Sequence, residues 1–345
     1  MISRYNAVIA AAALHRLGNK YNEEGYFLSD RNLELNDELT DIMLRYFFSP
    51  FKSEEYYHFY HDSDLNLNEV YHFTEAIFDN PDSLFEQSVN LSKHLYEQST
   101  HPNIKGGEFY TVYLPGCMLD GEEVEAIGLF KSENKETFLK VVDEDMHYNL
   151  KTENGININK LDKGCLIFNK EHDEGYIVAI VDNTNRGLEA HYWIDDFLHI
   201  QQRQDEYFNT HNILSMCKNF VTKELPEQFE VTKADQADLL NKSVQFFKEK
   251  EKFDIDEFNQ EVIAQPEVIE KFQEFKTQYQ EEHDMELPNQ FDISATAVKK
   301  QARVFKSVIK LDKNFHIYVH GNRELIERGE DERGTFYKVY FKEEM

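Results

Sequence analysis

The sequence predicts an α+β protein in two parts. The N-terminal half carries a mostly antiparallel sheet with flanking helices, and a helical region then leads to a C-terminal helix plus β-hairpin or meander. Three observations point there. Residues 107–195 fall into strand-length runs of β-branched and aromatic residues, residues 199–285 place Phe, Leu and Val at helical spacing, and residues 290–345 return to alternation after one short helical stretch. At 345 residues the chain exceeds one typical domain, and this reading divides it into residues 1–198 and 199–345. Apolar residues make up 41% and include 27 Phe and 19 Tyr, ample for buried cores and unlike a disordered chain.

The elements follow in order. Residues 1–98 are helix-rich: "NDELTDIMLRYFF" and "NPDSLFEQSVNLSKHLYEQS" read as helices, and "GYFLSDRNLEL" as a short strand and turn. In the second helix Asn80 or Asp82 is positioned to cap, and Leu84, Phe85, Val89, Leu91 and Leu95 form one stripe. The runs "GEFYTVYL", "EVEAIGLFK", "ETFLKVV", "GCLIFN", "GYIVAIVDN" and "EAHYWIDDFL" read as strands, separated by turn signals such as Pro115-Gly116 and Asp120-Gly121. Three or four helices occupy 199–285, with Pro266 suited to a first turn. Ser294 is placed to cap "ATAVKKQARVF", and "SVIKL", "NFHIYVHG" and "TFYKVYF" alternate as strands.

Composition excludes several classes. The net charge is −28, so the mean field repels polyanions and any nucleic-acid contact must be local. The apolar run Ala7–Leu14 is short, lacks a cleavage site and runs into His15, Arg16 and Lys20, a poor signal peptide. No run approaches the roughly 20 apolar residues of a membrane span, so a cytoplasmic protein without a membrane partner is expected. Cys117, Cys165 and Cys217 stand far apart without a CxxC pair, which argues against disulfides and structural zinc.

Common catalytic signatures are missing: there is no phosphate loop of the nucleotidase type, no GxGxxG after a strand, no GxSxG elbow and no HExxH. A metal-dependent nuclease would need carboxylates and a lysine on adjacent strands; Glu125, Glu136, Lys131 and Lys140 lie on such strands, but without the Glu-x-Lys spacing of the common nuclease core. His58, His61, Asp62 and Asp64 cluster, as do His316 and His320 at i, i+4, yet surface or packed histidines are the commoner explanation. No catalytic residue, metal or cofactor is assigned, and a non-enzymatic role is expected.

Positive charge gathers in one place. Between Lys299 and Lys313 stand five Lys, one Arg and a single acid, Asp312. Residues 299–342 carry 11 Lys and Arg against 6 acids. On a helix Lys299, Arg303 and Lys306 share a face, Lys300 lies about 100° round, and Lys310 and Lys313 extend the run into the hairpin. Cations on one surface meet phosphates and release counterions without reading sequence. The six residues are therefore the candidate DNA contacts, with Arg323, Arg328 and Arg333 second, because acids neighbour them. A Lys-rich helix pairing with acidic surfaces of its own chain is the competing reading, and charge alone favours it.

The order of features resembles a known family. "LHRLGN", "FLSDRNLEL", "HPNIKGGEFYTVYL", "EAIGLFKSEN" followed by "FLKVV", and "LDKNFHIYVHGNRELIERGEDERGTFYKVYF" are similar to the bacterial nucleoid-associated family typified by NdpA, also called YejK. The resemblance implies association with the chromosome, binding of double-stranded DNA and a link to a DNA-processing enzyme such as a topoisomerase. It fixes no contact residue. An acidic adaptor for such an enzyme is the alternative role. Two weak patches would combine by avidity in a homodimer, although no heptad or other pairing signature appears.

Overall fold

Alternation of side chains along the strands gives the first unit a sheet with two buried faces. The computed structural model describes residues 2–144, 147–184, 192–303, 305, 308–311, 314–319 and 323–343, and the chain divides into residues 1–203 and 204–345. In the first unit the strands are β1 (Ile2–Ser3), β2 (Ala11–Leu17), β3 (Tyr26–Leu28), β4 (Tyr57–Phe59), β5 (Gly107–Leu119), β6 (Glu122–Ser132), β7 (Glu136–Glu144), β8 (His147–Gly155), β9 (Lys163–Phe168), β10 (Ile177–Asp182) and β11 (Ile200–Gln202). Its helices are α1 (Asp37–Phe48), α2 (Glu69–Asp79) and α3 (Leu84–Gln98). All strands but β7 and β8 join one antiparallel sheet in the order β11-β4-β10-β9-β6-β5-β2-β3, with β1 paired to the end of β5.

Successive residues of the central strands enter different cores. Ala13, Phe109, Leu129, Ile167 and Val178 pack with α2, α3 and Trp193 on one face, while Ala12, Val112, Phe130, Leu166 and Ala179 pack with α1 on the other. Burial on both faces explains why β9 is buried at every position. The rings of Phe47 on α1 and Phe130 on β6 stack at 4.0 Å.

Local chemistry sets the boundaries. Asn36 Oδ1 accepts the Leu39 N–H at 2.9 Å to start α1, with Asp37 and Glu38 in the favourable first turn. Buried Asn68 does more at α2: its Oδ1 accepts the Tyr71 N–H, and its Nδ2 donates to the carbonyls of Tyr60, Leu198 and His199 at 3.0–3.1 Å. The cap expected at Asn80 or Asp82 is replaced by a 3-10 turn, Pro81–Ser83, without a side-chain cap bond; the fixed φ of Pro81 organises the entry instead. At Gly116 φ is +75° and a Cβ would lie 2.3 Å from the Asn6 carbonyl oxygen, where the β5–β6 register shifts between Leu114 and Cys117.

Two stretches differ from the sequence reading. The apolar run Ala7–Leu14, read as a poor signal peptide, leads into strand β2, Ala11–Leu17, inside the sheet, where small side chains allow α3 to lie close. The run "EAHYWIDDFL", read as a strand, winds from Tyr192 to Leu198 as a π-helical turn, with Trp193 and Phe197 buried together and their rings 5.0 Å apart. Strands β7 and β8 form a separate two-stranded ribbon. On one of its faces Leu139, Val141, Tyr148 and Leu150 are 62–75% exposed, with Val141 directly opposite Leu150.

In residues 204–345 the helices are α4 (Glu206–Asn219), α5 (Leu225–Gln228), α6 (Lys233–Glu249), α7 (Ile255–Phe258), α8 (Pro266–Glu282) and α9 (Ala295–Ala302). Strands β12 (Lys252–Asp254) and β13 (Gln290–Asp292) pair, as do β14 (Val308–Leu311) with β15 (Phe315–Tyr318), and β16 (Ile326–Asp331) with β17 (Gly334–Val339). The helical stripes converge on a core that includes Phe220, Phe246, Phe253, Phe258 and Phe272. Ala234 and Ala237 of α6 meet Ile309, Val319 and Ile326 in a smaller core under the hairpins. Pro266 opens α8, and Thr232 with Asp235 forms a capping box on α6. No helix among the described residues is long and apolar enough to cross a membrane.

Candidate nucleic-acid interface

The basic helix is built from Ser294, whose Oγ accepts the Ala297 N–H at 3.3 Å and starts α9. Ala297, Val298 and Gln301 turn inward, and Gln301 Nε2 donates to His211 Nδ1 at 2.8 Å and Ser215 Oγ at 3.1 Å on α4. That anchor fixes the helix rotation. Lys299, Lys300 and Arg303 consequently share the exposed side. Lys300 Nζ lies 5.4 Å from the centre of the Tyr207 ring, a cation–π contact.

The helix is shorter than the spacing argument assumed. It ends at Ala302 with Arg303 as C-cap residue, so among the described residues the stripe runs from Lys299 to Arg303. Lys306 and Lys313 lie outside the described residues. Lys310 stands on β14, exposed and directly opposite His316 on β15, with Tyr318 on the same hairpin face. The structure thus brings three of the six candidates together and places a fourth on the neighbouring element in sequence. Among the second-line residues, Arg328 is exposed opposite Tyr337, and Arg333 sits in the β16–β17 turn where its N–H donates to Asp331 Oδ1. Arg323 begins a 3-10 turn.

Sequence proximity misled in the nuclease set. Lys131 is sealed from solvent and bonded to Glu133, while Glu136 accepts from Lys160 and Asn157, and Lys140 pairs with Glu153 on the ribbon. The His58 cluster also has structural employment: burial lowers the His58 pKa, His61 Nδ1 accepts the Ser63 N–H, and Asp64 caps a short turn. His316 is described, whereas His320 lies outside the described residues. No group of three or more metal-ligating side chains converges among the described residues.

A feature that the sequence did not reveal lies where β6, β9 and β10 end. Lys131 and Lys163, opposite each other in the β6–β9 register, are both fully buried. Their ammonium groups flank the Tyr192 ring at 5.4 and 5.3 Å. Lys131 Nζ donates to Glu133, to the Lys105 carbonyl and to the Tyr192 hydroxyl; Lys163 Nζ donates to Asp182 at 2.7 Å and Thr184 at 2.8 Å. Burial lowers the Lys131 pKa against the opposing pull of Glu133, and raises that of Tyr192. No local motif announces this network, because its members come from separate segments.

A family model described as nucleoid-associated protein YejK matches residues 13–333. The chain belongs to that family. The match takes in both units, including α9, the β14–β15 hairpin and strand β16. No curated protein matches the chain significantly. Membership in the nucleoid-associated family brings a nucleoid location with it, in keeping with the expectation drawn from the order of the sequence motifs.

Proposed function

We propose that this nucleoid-associated protein binds double-stranded DNA without enzymatic action and with little sequence preference, using the exposed side of α9 and the adjoining hairpin. The observation that carries this reading is the joint exposure of Lys299, Lys300 and Arg303 on one helix side, in a chain of net charge −28. Phosphate contacts of this kind add affinity through counterion release and carry no base information. Lys310 extends the set, and Lys306 and Lys313 belong to it on charge grounds. In a homodimer two such surfaces would engage one duplex together.

The test is a salt series of duplex binding for the wild type and for Lys299/Lys300/Arg303→Ala. Each lost phosphate contact removes about 0.9 from the slope of log K against log salt, so the triple variant should lose about 2 to 3. An unchanged slope and affinity would remove this surface from consideration.

A second reading, an acidic adaptor for a DNA-processing enzyme such as a topoisomerase, draws support from the β7–β8 ribbon. Contiguous exposed apolar side chains of this kind mark protein contact sites. A partner retained after nuclease digestion and lost with Val141/Leu150→Ser would favour it; loss of every partner on digestion would count against it.

A further inference from the structure

Close to the buried lysine network is a polar cavity of about 800 Å³ in the first unit, lined in part by Lys52, Lys105, Asn134, Asn157, Lys160 and Asp162. Its volume suits a small ligand, but its polar lining does not suit an apolar one. The charges decide which kind. Two of the three carboxylates at the cavity are paired with a lysine, and the third, Asp162, is turned onto neutral N–H donors. Glu133 holds Lys131 and accepts from the Tyr192 hydroxyl, and Glu136 holds Lys160 and Asn157. Asp162 Oδ2 accepts the N–H groups of Glu133 at 2.6 Å and Asn134 at 2.8 Å, and its Oδ1 accepts Asn134 Nδ2 at 2.8 Å.

Two cations are left without an anionic partner. Lys105 Nζ donates to the neutral Asn134 Oδ1 at 2.7 Å, and Lys52 has no ion-pair or hydrogen-bond partner among the described residues. Lys105 is moreover held at both ends. Asp162 locks the Asn134 amide with its oxygen towards the Lys105 ammonium, while buried Lys131 Nζ donates to the Lys105 carbonyl at 2.7 Å. A positive charge fixed through a buried network is a preorganised anion receptor, since little ordering remains to be done on binding.

We infer that this cavity binds a phosphate group, with Lys52 and Lys105 as its cationic contacts and the surrounding asparagine amides as further hydrogen-bonding groups. Two unneutralised ammonium groups match a dianion, whereas a monocarboxylate would satisfy one. The phosphate could come from a free nucleotide or from a nucleic-acid backbone, and the chemistry of recognition is the same. This site is separate from the α9 surface and does not depend on it.

Titration calorimetry of the full chain with inorganic pyrophosphate tests the inference. The wild type should bind, Lys52→Ala and Lys105→Ala should each weaken binding about tenfold or more, and Lys105→Arg should retain part of it. Lys299/Lys300/Arg303→Ala should leave pyrophosphate binding unchanged, which separates this site from the proposed DNA surface. If a duplex oligonucleotide displaces pyrophosphate, the backbone is the physiological source; if it does not, a small phosphorylated compound is. Absence of pyrophosphate binding at millimolar concentration, or equal binding by both Ala variants with wild-type thermal midpoints, would overturn the proposal.

Discussion

Replacing Lys131 with Met removes one positive charge from a site with no solvent access. Lys131 Nζ donates to Glu133 Oε1 at 2.9 Å, the Lys105 carbonyl at 2.7 Å and the Tyr192 hydroxyl at 3.1 Å. In the variant the Glu133 side chain, 2% exposed, keeps the Tyr192 hydroxyl but loses its counter-charge. Breaking a buried pair from one side destabilises by about 3–5 kcal/mol, chiefly through the charge left behind. For a unit of this size each kcal/mol shifts the midpoint by about 2–4 °C, so a fall of about 12 °C is expected. Trp193, the single tryptophan and fully buried in this unit, reports the transition by its emission. Lys131→Met/Glu133→Gln should recover at least half of the loss, because the orphaned charge is gone. A fall below about 3 °C, or a double variant no better than the single one, would refute the reasoning.

Other consequences follow from the same geometry. Gly116→Ala should destabilise by about 1–3 kcal/mol in denaturant titration, since the left-handed φ and the Asn6 carbonyl both oppose a Cβ. Asn68→Ala should lose about 2–3 kcal/mol by the same measurement, combining a lost cap with buried carbonyls left without their donor. Burial pushes the Cys117 thiol up to about 12 and the Cys165 and Cys217 thiols higher still, so native protein at pH 8 should resist alkylation until it is unfolded. Asp173 first, and Glu75 with it, raise the pKa of His172. Their stabilisation is fully present below the ordinary histidine value and is lost as the pH rises through the raised one. His172→Gln should therefore lower the midpoint most at pH 5 and least at alkaline pH, and a pH-independent difference would contradict the assignment.

Where local chemistry dominates, the sequence was informative. Ser294 before α9 and Pro266 in α8 act through bonds or dihedrals within a few residues, and the structure bears them out. The antiparallel sheet was legible for the same reason, through turn residues between alternating runs. Ala11–Leu17 was not, because an alanine-rich run has weak strand propensity and is held as β2 by β5 and β3 on either side. Tyr192–Leu198 has strand-like composition, yet packing of Trp193 and Phe197 into one core favours a wide helical turn. The cavity was invisible because Lys52, Lys105, Asn134 and Asp162 come from distant segments, joined only once the β6–β9 register is set.

The sheet also imposes an order on synthesis. Its edge strand β11 pairs with β4 through Ile200 opposite Phe59, and β2 pairs with β5 through Ala11 opposite Tyr113. An emerging chain therefore holds β2 without its β5 partner for about a hundred residues, and β4 without β11 for still longer. Long-range pairing of this sort is intrinsically slow and leaves strand edges open meanwhile. The last residues of the first unit to leave the ribosome are thus the ones that close its edge.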